Sequence, residues 1–217
     1  MTRKLPPTAS FAEAAGGDRL YAPSAERNAA PIAQLLALVA PRTGRALEIA
    51  SGTGQHVVVF AETLPGLTWQ PTEPDPARRA SIDAHAAEAG LDSIRAAQPL
   101  DACTAGWSGD WPGQDLIVLS NLLHLVSQPE ALTLLSEAAQ ALAPGGVFVI
   151  YGPFRRDGKL TSEGDETFDG QLREADPAIG YKNDAEIREA LTEAGLEILR
   201  QVEMPANNLA LVARRGA

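Results

Sequence analysis

A regular exchange between short apolar runs and helical periodicity constrains this chain most, and it breaks only near the end. Residues 45–50 read as a strand, and 55–64 as a helix stopped by Pro65 and Gly66. Residues 67–71 read as a strand, 77–89 as a helix ended by Gly90, and 94–97 as a weak strand. Residues 115–120 and 147–151 hold the unbroken apolar runs of strands buried on both faces. Helices are expected over 129–142 and 184–194, closed by Pro144-Gly145-Gly146 and by Gly195. Such alternation predicts an α/β fold, a mostly parallel sheet with helices on both faces. The last two strands, 196–204 and 209–213, depart from it. The turn Pro205-Ala-Asn-Asn208 between them is too short for a crossover helix, so they should pair antiparallel.

The alternation starts with a helix from Ser24, where Ile32, Leu35, Leu36 and Val39 recur at helical spacing. The expected organisation is therefore one domain over 24–217, with an insert at 155–183 near the cleft. Residues 1–23, with Pro6, Pro7, Gly16, Gly17 and Pro23, have little periodicity and read as an arm or lid. Phe11, Leu20 and Tyr21 are its candidates for packing down.

Charge narrows the partners. Lys and Arg number 18 against 28 Asp and Glu, a net charge of −10. Such a surface repels phosphate backbones and anionic membranes, so neither nucleic acid nor a membrane is an expected partner. One cysteine, Cys103, excludes an internal disulfide framework and a multi-cysteine metal site, and no metal is expected. No spanning stretch or secretory signal is visible, and the expected location is cytoplasmic.

Glu48-Ile-Ala-Ser-Gly-Thr-Gly54 joins the first strand to its helix. In an open parallel sheet, ligands bind beyond the carboxyl ends of strands where the strand order reverses. Glycines there let the backbone approach a ligand. Dinucleotide loops carry a third glycine three residues on, where this chain has Val57. Glu48, inside the strand, would repel a pyrophosphate but attract an ammonium or sulfonium ligand. Glu73, ending the second strand, suits the two hydroxyls of a ribose. Asp101 could accept from an adenine amino group or simply cap its loop.

Together with Ser120-Asn121-Leu-Leu-His124 and Leu142-Ala-Pro-Gly-Gly146, these residues resemble the motif series of class I S-adenosylmethionine-dependent methyltransferases. That resemblance implies a Rossmann-like, seven-stranded sheet with one antiparallel strand near its end. Ala50 stands where the family has its first loop glycine. A narrower likeness runs from Tyr21 to Arg214, in Ser24-Ala-Glu-Arg-Asn28, Trp69-Gln-Pro71, Tyr151-Gly-Pro-Phe154, Phe168-Asp169 and Met204-Pro-Ala-Asn-Asn208. These blocks resemble the methyltransferase-like protein twenty-six group, whose bacterial members are labelled a domain of unknown function. The chain departs from that group at Glu163 and across 179–183, both in the insert.

The resemblance implies S-adenosyl-L-methionine as cofactor and in-line methyl transfer to a small-molecule acceptor. Glu48, Ala50, Gly52, Gly54, Glu73, Asp101 and Asn121 are then the expected cofactor-binding residues. Arg27, Asn28, Asn207 and Asn208 are the expected substrate contacts. His124 is the candidate general base, since imidazole titrates near neutrality, and Tyr151 should reach the cleft from its strand end. His56, at a helix start, reads as cleft wall or as a residue just behind it. Two rival functions are a catalytically silent protein that binds the same cofactor and a nucleotide-dependent oxidoreductase.

Overall fold

The computed structural model describes Pro6 and residues 11–217; residues 1–5 and 7–10 of the expected arm lie outside the described residues. Strands β1 (Glu13–Ala14) and β2 (Leu20–Tyr21) pair as an antiparallel ribbon. It is pinned to a helix described below: Leu20 N–H donates to Ser81 Oγ at 2.8 Å, and His85 Nε2 lies 2.8 Å from the Leu20 carbonyl. Helix α1 (Pro23–Val39) starts on a proline, whose fixed φ suits a first turn, and buries Ile32, Ala33, Leu35 and Leu36.

Strand β3 (Gly44–Ile49), helix α2 (Gln55–Thr63), strand β4 (Leu67–Pro71) and helix α3 (Pro76–Ala89) follow in turn. Asp75 caps α3, its Oδ1 accepting from Ala77 N–H and Arg78 N–H at 2.7 and 3.1 Å. Then come β5 (Gln114–Ser120), α4 (Gln128–Ala141), β6 (Leu142–Arg155), α5 (Glu163–Ala175), β7 (Lys182–Asn183), α6 (Asp184–Glu193), β8 (Leu196–Glu203) and β9 (Asn208–Arg215). A capping box between Ser127 and Glu130 starts α4.

The seven-stranded sheet runs β4-β3-β5-β6-β9-β8, with β7 joined to β6. The β4/β3, β3/β5 and β5/β6 pairs are parallel, while β9 is antiparallel to both β6 and β8, as the short 205–208 turn demands. Leu116 and Val118 of β5 join one apolar cluster; Ile117 and Leu119 join the other. Core on both faces is why this strand reads as an unbroken apolar run.

Three differences from the sequence reading have local causes. The weak strand at 94–97 makes only two isolated bridges to the β4 edge, Trp69 with Ile94 and Thr72 with Gln98. Four residue steps on one side face three on the other, and Ala97 N–H turns away to Asp83 Oδ1 at 2.7 Å. Strand β6 is far longer than 147–151, because the chain pairs at Leu142, bulges, and pairs again from Val147. Gly146 permits that bulge: a Cβ there would sit 2.6 Å from the Gln114 carbonyl oxygen. Helix α5 lies in the insert, where no helix was expected. Its buried face is Asp165, Asp169 and Leu172, so polar residues hide the helical period from a hydrophobicity reading.

Candidate functional site

Strand order reverses between β3 and β5, and a cavity of about 480 Å³ opens there at the carboxyl ends of β3, β4 and β5. Its floor is the turn after β3, which reverses in a few residues through positive φ at Ala50 (54°), Gly52 (61°) and Gly54 (95°). At Ala50 this costs about 1 kcal/mol that glycine would avoid. The turn is tied to the end of β4: Ser51 N–H donates to the Thr72 carbonyl at 2.8 Å, and Gly52 N–H to Glu73 Oε2 at 3.1 Å.

The two loop glycines do different work. Gly52 lines the cavity, and a Cβ there would meet nothing closer than Arg78 Nη1 at 3.7 Å, an ordinary contact. Gly54 does not line it. A Cβ at Gly54 would lie 2.6 Å from Ile82 Cα, so this glycine lets α2 start against α3.

The three acids differ in state. Glu48 is buried beneath the turn and does not line the cavity; its Oε2 has no hydrogen-bond partner. Burial pushes its pKa up to about 8, a bond from Ser51 opposes this, and the Glu73 charge adds to it. Glu73 lines the cavity. Its pKa is also raised, by burial first, against bonds from the Asp75 and Gly52 N–H groups and the Arg78 charge. Asp101 lines the cavity from an exposed loop, where Oδ1 accepts from Cys103 N–H at 3.0 Å. It therefore faces the cavity and caps its own turn at once.

Asn121 lines the far wall with φ 56°, its N–H donating to the Tyr151 carbonyl at 2.8 Å. Beside it, Ser120 Oγ is buried at the cavity with no partner. His56 also lines the cavity, its ring stacked on Phe60 with centroids 5.4 Å apart. Burial lowers its pKa to about 4, opposed by a bond to the Ala25 backbone, so the ring is neutral at physiological pH. His56 Nε2 lies 2.6 Å from Asn28 Oδ1, and Asn28 also bonds Tyr151. Asn28, His56 and Tyr151 thus join α1, α2 and β6 behind the cavity.

Several expected contacts lie away from it. His124 does not line the cavity: it is buried with its ring edge-on to Phe168 (5.8 Å) and Tyr181 (6.1 Å). Burial, with the Lys182 charge, lowers its pKa to about 3, and its place off the cavity sets it apart from any group bound there. Tyr151 is 2% exposed, and burial raises its pKa to about 12; it is a core residue whose hydroxyl meets Asn28. Arg27 is exposed on α1 and off the cavity, because its position in the helix turns it from the packed face. Asn207 and Asn208 shape the β8–β9 turn instead. Asn207 adopts φ 60°, and Asn208 Nδ2 donates to the Pro205 carbonyl at 3.0 Å.

Other lining residues escaped the sequence reading: Phe11, Ser24, Ala25, Arg78 and Ser120. Arg78 carried a usable signal. An acid ending β4 and a proline-started helix place the first turn of α3 at the cavity mouth. Phe11 carried none, since its place depends on how the N-terminal ribbon folds back.

This architecture is the Rossmann-like class I methyltransferase fold, and solved structures share it. An O-methyltransferase family protein from Burkholderia thailandensis matches at TM-score 0.77 and 18% identity, over 89% of this chain and 58% of that one. Human N-acetylserotonin methyltransferase, solved in complex with SAM, matches at TM-score 0.72 and 16% identity, over 89% and 53%. An O-methyltransferase family 2 protein from Planctomyces limnophilus, in complex with apigenin, matches at 0.73 and 18%, over 88% and 60%. The chain spans a little over half the length of these proteins. Residues 19–215 match the family model described as "Protein of unknown function (DUF938)", and the chain belongs to that family.

Proposed function

We propose that this protein is an S-adenosylmethionine-dependent methyltransferase acting on a small-molecule acceptor. The observation that carries the reading is the cavity at the strand-order reversal, flanked by two acids of raised pKa. One of them, Glu48, has a buried oxygen without a partner. A ligand that brings a cation and hydroxyl donors fits that arrangement; a bare pyrophosphate does not. Bound SAM and apigenin in the neighbours named above support the cofactor and the acceptor size. The kinship with the methyltransferase-like protein twenty-six group belongs to this proposal too.

Glu73 would accept the ribose hydroxyls and Asp101 the adenine edge. Ala50 and Gly52 would present backbone to the ligand, with Gly54 holding the turn in place from behind. Asn121 and Ser120 would line the methionine arm, and a bound cation would draw the proton from Glu48 beneath it, since a nearby positive charge lowers a carboxyl pKa. When bound, the cofactor supplies an electrophilic methyl on its sulfonium. The chain's own task is then to hold an acceptor in line and keep water out. Phe11, Ser24 and Ala25 also line the cavity, so the start of α1 and the chain around Phe11 would form part of its cover. The Asn28–His56–Tyr151 bonds hold α1 in that position.

Thermal-shift titration tests the cofactor. S-adenosylhomocysteine should stabilise the protein and nicotinamide dinucleotides should not; the reverse would overturn the reading. Labelled cofactor incubated with cell extract should yield a small labelled metabolite, and label only in protein or RNA would refute the acceptor class. Glu73→Ala should weaken S-adenosylhomocysteine binding by about 100-fold, the loss of two hydrogen bonds to a charged group, with the fold retained by circular dichroism.

A further inference from the structure

Core packing does not hold down the N-terminal strap that carries Phe11. No side chain among residues 11–22 is buried, and the first buried residue of α1 is Ala29. Phe11 lines the main cavity and is still 54% exposed. A segment with so little buried apolar surface opens locally at low cost. Two hydrogen-bond relays fasten it, and both end on Thr53, in the glycine turn and on the cavity wall. Ser81, fully buried on α3, accepts Leu20 N–H at 2.8 Å and donates its hydroxyl to the Thr53 carbonyl at 2.7 Å. Gln55 Oε1, at the start of α2, accepts Ala22 N–H at 2.6 Å and the Thr53 hydroxyl at 2.9 Å. The remaining ties, His85 Nε2 to the Leu20 carbonyl at 2.8 Å and the Arg19–Glu88 ion pair, reach α3 but not the turn.

A buried hydroxyl that accepts one bond and donates the next strengthens both. Thr53 sits between Gly52 and Gly54, both at positive φ, so where Thr53 lies is where the turn lies. The strap is therefore fastened to the part of the cavity that a ligand would touch. We propose that Ser81 and Gln55 are positioning residues that couple occupancy of the cavity to closure of residues 11–22, with Phe11 packing over the bound ligand. A ligand that settles the glycine turn settles both anchors. The exposed ring gains apolar burial only when that ligand is present, which is the differential contact a population shift requires. Closure of the strap then sets how slowly the ligand leaves. The inference rests on the reading of the main cavity as the S-adenosylmethionine site.

Amide hydrogen exchange of the full chain, read by NMR, tests the anchors directly. S-adenosylhomocysteine at about 100 times its dissociation constant should slow exchange of the Leu20 and Ala22 N–H groups at least about tenfold, because opening then competes with binding. Gly195 N–H, bonded to the Thr192 carbonyl at the end of α6, should not change. In stopped-flow release of S-adenosylhomocysteine, Phe11→Ala and Ser81→Ala should each speed dissociation about fivefold. Phe11 is exposed, so its truncation leaves the core intact. The double variant should be no faster than about either single one, since both act on the same closure. Gln55→Leu should also speed release, and Gln55→Glu, which keeps the accepting oxygen, should restore it. A native chain that does not bind S-adenosylhomocysteine overturns both this inference and the cofactor reading. Binding overturns the coupling alone if it brings no added protection at Leu20 and Ala22, or equal protection at Gly195. Unchanged release in Phe11→Ala, multiplied effects in the double variant, or equal release in Gln55→Glu and Gln55→Leu does the same.

Discussion

Glu48, on β3, and Asp169, on α5, are both buried carboxylates, and they sit in opposite electrostatic states. Glu48 is 1% exposed, keeps an oxygen without a partner, and has its pKa pushed up to about 8. Asp169 is 3% exposed and fully bonded. Burial also pushes its pKa up, but Arg173, Arg155 and the Tyr181 N–H overcome that and hold it below the ordinary carboxylate value. The Glu48 oxygen is buried with no donor bonded to it, whereas two guanidiniums and a backbone N–H hold Asp169.

The largest effect expected from this contrast is in pH dependence. Glu48 binds its proton more tightly folded than unfolded, so the folded state holds more protons between pH 4.5 and 8. Its stability is intact below pH 4.5, is lost as pH rises through that window, and falls no further above it. A shift of 8 − 4.5 = 3.5 sets an upper limit of about 5 kcal/mol. Glu48→Gln should flatten urea-measured stability between pH 5 and 8, and an unchanged slope would remove the contrast at its source. Asp169→Asn probes the opposite state. It strands two guanidiniums and should cost about 3 kcal/mol, the low end for a broken buried pair because both arginines reach solvent. A loss under about 1 kcal/mol would class Asp169 with surface pairs.

The two regions also differ in how far sequence reveals them. Around Glu48 the chemistry is local. The turn follows β3 directly, Glu73 ends the neighbouring strand, and both positions are spaced by the β-turn-α pattern itself. Ala50, Gly52, Glu73, Asp101 and Asn121, which line the cavity, were therefore legible as neighbours. The insert is assembled from a distance. Arg155 meets Asp169 from the end of β6, Lys182 reaches back to Val126, and α5 buries acids instead of apolar residues. No periodicity announces such pairing. His124 went the same way. Its place one turn past β5 suggested the cleft, but Phe168 and Tyr181, from the insert, cover its ring. Ser24 and Ala25 reached the cavity unannounced because helical spacing identifies the face of α1 that packs, not its first residues.

The smallest expected effect lies inside the glycine turn, where the contrast between holding the fold and meeting a ligand recurs over two residues. Gly54 has φ 95° and Ile82 Cα 2.6 Å from where a Cβ would be, and backbone on a packed helix cannot move aside cheaply. Gly54→Ala should cost about 2 kcal/mol, from left-handed strain plus overpacking. Gly52 has φ 61° and nothing closer to its Cβ position than Arg78 Nη1 at 3.7 Å, so Gly52→Ala carries the conformational cost alone, about 1 kcal/mol. Its methyl would stand at the cavity wall, so ligand affinity should fall more than stability does. Urea midpoints and S-adenosylhomocysteine titrations of both variants separate the two jobs. Equal stability losses would mean that the turn is strained as one unit and that Gly52 has no special relation to a ligand.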